Sequence, residues 1–399
     1  MPDQSTSSRY RRSCQPTDTQ ARGNVFQCGF GGWMLFAHVY GTQVLSAMQA
    51  YTNVIWTVFT GPPRPALAGV VSPKIKALMD GYKGAPRQVP TSACFKQLQK
   101  VKNMRDLAEV CPNIAPGRIL RSACPTAASE QDIDIIRHKL GISHLVDLRS
   151  EFERSEDPAS PLVAEAELRV SKRQGSIAQM ERFEQRDSQH PNSVNAPLII
   201  HHLSLLERSR YYKAILLKIP FATSAYALAW MPFNPSKGKS AIMAEVNRGG
   251  LPMLYEILLE IAGPELKCAL EVITEAAEAG EPLLFFCRVG KDRTGVLAAL
   301  ILSCCGAKPE EIIADYHRSD SVVSEIALGG LEKEDKELHQ LDRAVFSKAP
   351  AEVMAATLTH LDEMYGGPSR YLESIGFSRE QQQRLAKAVS ASRDHKVNL

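Results

Sequence analysis

Between Pro282 and Cys305 two apolar runs enclose one short polar loop, and no other stretch restricts the fold of this chain as much. Leu283 to Phe286 have the length of a strand. Val296 to Leu302 are apolar without a break, as in a helix buried on most faces. The loop between them carries a thiol, Cys287, two glycines, Gly290 and Gly295, and the cations Arg288, Lys291 and Arg293. A strand that passes through a glycine-containing loop into a helix N-terminus gathers unpaired N–H groups where the helix dipole is positive. Such a turn is an anion site, and phosphate is the anion it suits.

The spacing Cys287-x5-Arg293 adds chemistry to that geometry. Cys287 opens the loop, so its sulfur sits beneath the following N–H groups, an environment that favours thiolate. Arg293 is placed to fold back and hold two phosphoryl oxygens with its planar fork. Loop N–H groups from Arg288 through Val289 to Arg293 serve the remaining oxygens. Gly290 lets backbone approach the ligand, and Gly295 permits tight packing as the helix begins. Thr294 is positioned to donate its hydroxyl to the Cys287 sulfur, Lys291 adds a point charge at the rim, and Asp292 is the candidate general acid and base. The rival phosphate loop, Gly-x4-Gly-Lys-Ser/Thr, is absent.

Cys287-Arg-Val-Gly-Lys-Asp-Arg-Thr-Gly295 resembles the signature loop of the Cys-based protein tyrosine phosphatase superfamily. Its Gly-Lys-Asp-Arg-Thr-Gly form is similar to the tyrosine/serine phosphatases of bacteria, including secreted virulence phosphatases, and of fungi and other eukaryotes. The likeness extends along the chain through Asn103-Met-Arg-Asp-Leu107, Arg118-Ile-Leu-Arg-Ser-Ala123, Val146-Asp-Leu-Arg-Ser-x-x-Glu153, Ala314-Asp-Tyr-His-Arg-Ser319, Tyr365-Gly-Gly, Tyr371-Leu372 and Gly376. It implies an α/β, three-layer phosphatase fold with a small, mostly parallel central sheet flanked by helices, preceded here by an N-terminal extension. It also implies hydrolysis of phosphotyrosine, with dual specificity toward phosphoserine and phosphothreonine, through a phosphocysteine intermediate with no cofactor or metal. Two positions depart from the pattern. Phe286 stands where the family usually has a histidine that orders the loop, and β-branched Val289 stands where a small residue is usual. These departures keep a phosphate-binding pseudophosphatase open as an alternative. A second alternative is a phosphoinositide phosphatase, because Lys291 beside Arg288 suits a second phosphate.

The rest of the chain sets limits. A net charge of +3 over 399 residues gives no reason to expect nucleic acid, and membrane attachment is not expected either. Nine cysteines without paired spacing argue against a disulfide framework and for a reducing, cytoplasmic setting. No Cys-x2-Cys or His-x3-His spacing suggests zinc. Residues 1–28 are rich in Ser, Thr, Gln and Arg, loosely like a transit peptide, so organelle targeting is the alternative location. Residues 23–63 contain no Asp, Glu, Lys or Arg, but Thr42, Gln43, Ser46, Gln49, Thr52 and Asn53 interrupt them, so a clean span is lacking. We divide the chain into an extension (1–95), whose 73–90 segment is a linker with one short helix, a catalytic domain (96–392) and a tail (393–399).

Within the catalytic domain the pattern predicts strands over 118–123, 144–148 and 197–200. It predicts helices over 130–140 with Ser129 as cap, 207–219, 241–261 interrupted at Gly249-Gly250, 265–279, from Pro309, 351–364, 371–375 and from Ser378. Asp147 lies at a strand's C-terminal end. It reads first as a structural acid paired with Lys291 or Arg149, and second as a catalytic acid. Residues 154–195 read as a solvated, partly helical insertion, and 219–240 as an irregular crossover or lid. His201 and His202 are adjacent in a strand and face opposite ways, so they cannot chelate one ion together. Cys304 and Cys305, about 17 Å along the helix from Arg293, read as buried thiols rather than disulfide partners of Cys287.

Overall fold

The computed structural model describes residues 73–82, 94–157, 160–164, 166–174, 177–182, 198–323 and 341–390. All lie in one compact unit, Val58–Leu399. The targeting segment and the charge-free stretch lie outside the described residues. No helix among those described is long and apolar enough to cross a membrane.

Among the described residues seven strands form one sheet: β1 (Arg105–Asp106), β2 (Ile119–Ser122), β3 (His144–Asp147), β4 (Glu167–Gln174), β5 (Ile177–Arg182), β6 (Ile199–His202) and β7 (Leu283–Phe286). Their spatial order is β1-β2-β7-β3-β6-β4-β5. The pairings from β2 through to β4 are parallel, while β1 and β5 are antiparallel edge strands. Successive side chains on a strand face opposite ways. Accordingly Ile119, Val146, Leu283 and Phe285 enter one apolar core, and Leu120, Leu145, Ile200, Leu284 and Phe286 enter another on the other face. Helices cover both faces, as the resemblance implies.

The helices are α1 (Pro73–Gly81), α2 (Glu130–Asp134), α3 (Glu151–Ser155), α4 (Pro161–Ala164), α5 (Arg208–Lys218), α6 (Phe221–Trp230) and α7 (Pro235–Ile261). They continue with α8 (Gly263–Glu278), α9 (Asp292–Cys304), α10 (Pro309–His317), α11 (Arg343–Phe346), α12 (Ala351–Tyr365), α13 (Pro368–Ser374) and α14 (Arg379–Val389). Capping explains several boundaries. Ser129 and Asp132 exchange side-chain and backbone hydrogen bonds at the start of α2, and Ser378 and Gln381 do so at α14. Beyond Asp134 the expected single helix widens into a π turn through Lys139, and Gly141 follows with φ +65°.

Two stretches differ from expectation. Part of the predicted insertion is a hairpin: β4 and β5 pair antiparallel from Arg169↔Arg182 to Gln174↔Ile177. The alternation of Leu168 and Val170 with charged neighbours is a period-two pattern that high overall charge concealed. Residues 183–197 lie outside the described residues. The supposed irregular crossover is largely α6, which buries Ser224, Ala227 and Leu228. Its prolines punctuate helices without breaking them. Pro220 precedes α6, and Pro235 opens α7 behind Asn234, whose side chain accepts from Lys237 N.

The predicted interruption of α7 is present at Gly250, with φ +56° and ψ −154°, two residues ahead of Pro252. A proline lacks the donor and clashes with the preceding turn, so the helix restarts in a new direction and carries Tyr255 inward. His201 and His202 face opposite sides, as expected. His201 Nε2 lies 3.0 Å from His144 Nδ1, and His144 Nε2 lies 2.6 Å from Glu281 Oε2. Burial pushes the His201 imidazole down to about 3, and burial beside Arg154 pushes His202 down to about 4.

Candidate active site

The parallel register brings Ser122 and Asp147 to either side of Phe286, so the loop that begins at Cys287 leaves the centre of the sheet at its C-terminal edge. Open α/β sheets bind ligands at that edge. Cys287 is buried with the core on one face. Phe286 is buried in the core on the other, with the Arg149 guanidinium 5.7 Å from its ring centre. The ring at this position therefore packs away from the loop and lends it no hydrogen bond.

Loop order comes instead from β2 and from residues just before β1 and just after β2. Asn103 Nδ2 donates to Val289 O (3.0 Å) and Gly290 O (3.1 Å), Arg121 donates to Gly290 O (2.8 Å), and Cys124 N donates to Arg288 O (3.1 Å). A trans peptide points its carbonyl and its N–H in opposite directions. With the carbonyls of 288, 289 and 290 tied outward, the N–H groups of Val289, Gly290 and Lys291 turn to the open side. Among the described residues, no acceptor is seen for the N–H groups of 289–294, and helical bonding starts with Gly295 N to Lys291 O at 2.7 Å. Gly290 is required here. Its φ is +72°, and a Cβ would stand 2.3 Å from Ser122 O.

One buried carboxylate anchors these ties. Asp315 on α10 accepts from Arg105 Nε at 2.7 Å and pairs with Arg121, while Arg105 reaches Asn103 Oδ1 at 2.5 Å. Burial opposes ionisation of Asp315, yet the two guanidinium groups hold its carboxyl down at about 2. Both arms, Arg105–Asn103 and Arg121, end on Gly290 O.

The open side is arranged differently. Arg293 gives both terminal nitrogens to Glu153 on α3, at 2.5 and 2.7 Å. Against the cost of burial, that pairing holds the Glu153 carboxyl at about 2 and pushes the Arg293 guanidinium up. The Nε–H edge and the second hydrogens of each terminal nitrogen remain for a ligand. Thr294 Oγ1 is buried and no hydrogen-bond partner is seen for it, so the expected donation to the Cys287 sulfur is not formed in this structure. Asp292 Oδ1 accepts from the Tyr255 hydroxyl at 2.8 Å and lies 3.2 Å from Lys291 Nζ. Val289 and Arg288 supply backbone to the turn.

One expectation needs correction. Lys291 is not a rim charge: it is 1% exposed, and its ammonium donates to Phe346 O (2.7 Å) and Lys348 O (2.9 Å). A carbonyl pair beside a carboxylate satisfies the cation inside the fold better than the rim would. Asp147 takes Arg149, one of the two partners expected for a structural acid, accepting from Arg149 N, Nε and Nη2 between 2.8 and 3.0 Å. Its carboxylate is saturated and holds a turn. No group of three or more potential metal ligands occurs among the described residues.

The profile of the tyrosine phosphatase family matches residues 96–390, most of the chain and the whole of this site. The chain belongs to the tyrosine phosphatase family. Two relatives add detail. A triple specificity protein phosphatase, PtpB, of Mycobacterium tuberculosis is 35% identical over 124 residues, which is 28% of this chain and 45% of that protein. A tyrosine-protein phosphatase of Nostoc commune is 33% identical over 133 residues, 31% of this chain and 43% of that protein. The chain thus spans less than half the length of these two relatives.

Within this tyrosine phosphatase scaffold, four site-supporting residues had no role assigned from sequence: Asn103, Arg121, Glu153 and Asp315. All four sit inside the segments that carry the family resemblance, which was the available signal. Tyr255 sits outside them, in a helix with no distinguishing pattern.

Proposed function

We propose that the chain hydrolyses phosphomonoesters, with phosphotyrosine in proteins as its principal substrate, through a phosphocysteine intermediate. The Cys287 thiolate attacks phosphorus and the bond to the leaving oxygen breaks, with Asp292 giving that oxygen a proton. Asp292 then takes a proton from water as the water attacks phosphorus and the P–S bond breaks, releasing inorganic phosphate and the thiolate. Thr294 donates to the departing sulfur. Loop N–H groups and Arg293 stabilise the equatorial oxygens.

One observation carries the reading: the loop carbonyls of 288, 289 and 290 are tied to Cys124, Asn103 and Arg121, which turns the N–H groups on the other side of those peptides toward the open side of the turn. The same ties weigh against the pseudophosphatase alternative. The order a histidine would bring at 286 is supplied by Asn103 and Arg121. The phosphoinositide alternative loses its main support, since the Lys291 ammonium is committed to Phe346 O and Lys348 O. The triple specificity in the name of the M. tuberculosis relative supports tolerance of phosphoserine and phosphothreonine as well.

The test is turnover of p-nitrophenyl phosphate and of a phosphotyrosine peptide by the full chain. Cys287→Ser is expected to abolish both, and EDTA to change neither. Residual turnover by Cys287→Ser, or dependence on added metal, overturns the proposal.

A further inference from the structure

The phosphatase reading leaves open what aims Asp292, an exposed-side carboxylate at the first position of α9 with no cap of its own loop behind it. Its Oδ1 accepts a hydrogen bond from the Tyr255 hydroxyl at 2.8 Å and lies 3.2 Å from the Lys291 ammonium as an ion pair. Tyr255 is 0% exposed, and its oxygen lies 2.9 Å from the Tyr316 hydroxyl, with the two rings edge to face at 89°. A phenol has one proton to give, and an ionised carboxylate can only accept. The Tyr255 proton therefore goes to Asp292, and the Tyr316 hydroxyl donates to the Tyr255 oxygen. The result is a directed chain, Tyr316 to Tyr255 to Asp292, in which each donor polarises the next.

Three elements outside the loop fix this chain. Tyr255 comes from α7 just past its Gly250–Pro252 kink, and Tyr316 from α10. Lys291 is held by carbonyls at and beyond the end of α11. With Oδ1 occupied from behind, Oδ2 is the oxygen left to carry a proton to and from the reacting phosphate. Burial and the neighbouring Asp292 charge push the Tyr255 phenol well above its ordinary range, so it stays a donor throughout any practical pH.

We infer that Tyr255, backed by Tyr316, is the positioning residue that sets Asp292 for proton transfer, and that its hydroxyl touches neither substrate nor thiolate. This rests on the phosphatase reading of the site. It predicts an effect confined to steps that need the proton. Tyrosine leaves as a poor leaving group and needs protonation, whereas p-nitrophenolate departs largely unaided.

The experiment compares kcat and KM of Tyr255→Phe on a phosphotyrosine peptide and on p-nitrophenyl phosphate. Expected is a fall in kcat of about tenfold or more on the peptide, a clearly smaller fall on p-nitrophenyl phosphate, and little change in KM on either. In an Asp292→Asn background the same substitution is expected to add nothing, since its only route to the chemistry is gone. Tyr316→Phe, which leaves the Tyr255 bond to Asp292 in place, is expected to give a smaller loss with the same leaving-group bias. It also carries the test if Tyr255→Phe does not fold.

Equal losses on both substrates, a rise in KM alone, or full additivity with Asp292→Asn would overturn the inference. A silent Tyr255→Phe beside a dead Cys287→Ser sinks only this inference. A Cys287→Ser that still turns over sinks the phosphatase reading beneath it.

Discussion

The two sides of the Cys287 loop are built on opposite principles. Behind it, Arg105, Arg121, Asn103 and Asp315 are buried, and the loop carbonyls of 289 and 290 each take a side-chain donor. In front, Arg293 and Glu153 are partly open, and Arg293 retains hydrogens beyond those given to Glu153. The rear network has one arrangement because any rearrangement strands a buried charge. The front pair can accept a phosphate without breaking, since the guanidinium fork has five donors and Glu153 uses two. Fixing the backbone from behind and leaving the charges in front available separates the stability of the loop from its chemistry.

That contrast is open to attack by mutation. The largest effect is expected from Arg121→Met, which strips Gly290 O of a donor and leaves Asp315 with one guanidinium fewer. A loss of about 3–5 kcal/mol in unfolding free energy is expected, together with loss of activity, as read by urea denaturation and phosphatase assay. A stable, active variant would show that the rear network is dispensable. Next comes Glu153→Gln, which frees Arg293 but leaves the scaffold intact. Activity is expected to fall about tenfold to a hundredfold from misplacement of the guanidinium, with a stability cost of only about 1–2 kcal/mol. If Glu153→Gln unfolds the protein as severely as Arg121→Met, the two sides are not distinct.

The smallest effect concerns pH and sharpens the same contrast. The Glu153 and Asp315 carboxyls are both held at about 2 in the fold. Their contribution is complete above the ordinary carboxylate range and is lost progressively as pH falls from that range through about 2. Between pH 7.5 and 5 they are constant. His201 behaves otherwise: buried at about 3, it stays neutral while the unfolded chain's imidazole takes up a proton below about 6.5. The unfolded state then binds more protons, so stability falls as pH drops through that window, by about 1–2 kcal/mol at pH 5. Thermal unfolding across the range is expected to show this slope, and His201→Gln to reduce it, the remainder coming from His202, which burial holds at about 4. A flat profile in the parent chain would contradict the burial of His201.

How far the sequence could be read depended on whether a residue's partner was near in the chain. The strand from Leu283, the helix through Val296–Leu302, the caps at Ser129 and Ser378 and the break at Gly249-Gly250 follow from short-range pattern, and each is present. The β4–β5 hairpin was hidden because charge on its open face outweighed a short alternation. α6 was hidden because prolines at its edges looked like prolines within it.

From its sequence alone this protein already had its loop chemistry: a thiol and a guanidinium six residues apart, on a turn between two apolar elements, can belong to few other designs. The burial of Lys291 against residues 346 and 348, the pairing of Arg293 with Glu153 and the meeting of Tyr255 with Asp292 were decided only by the tertiary structure. A hydrogen bond between side chains far apart in sequence depends on where two separate elements dock. That docking is set by the packing of both apolar faces of the sheet together, and no local spacing encodes it.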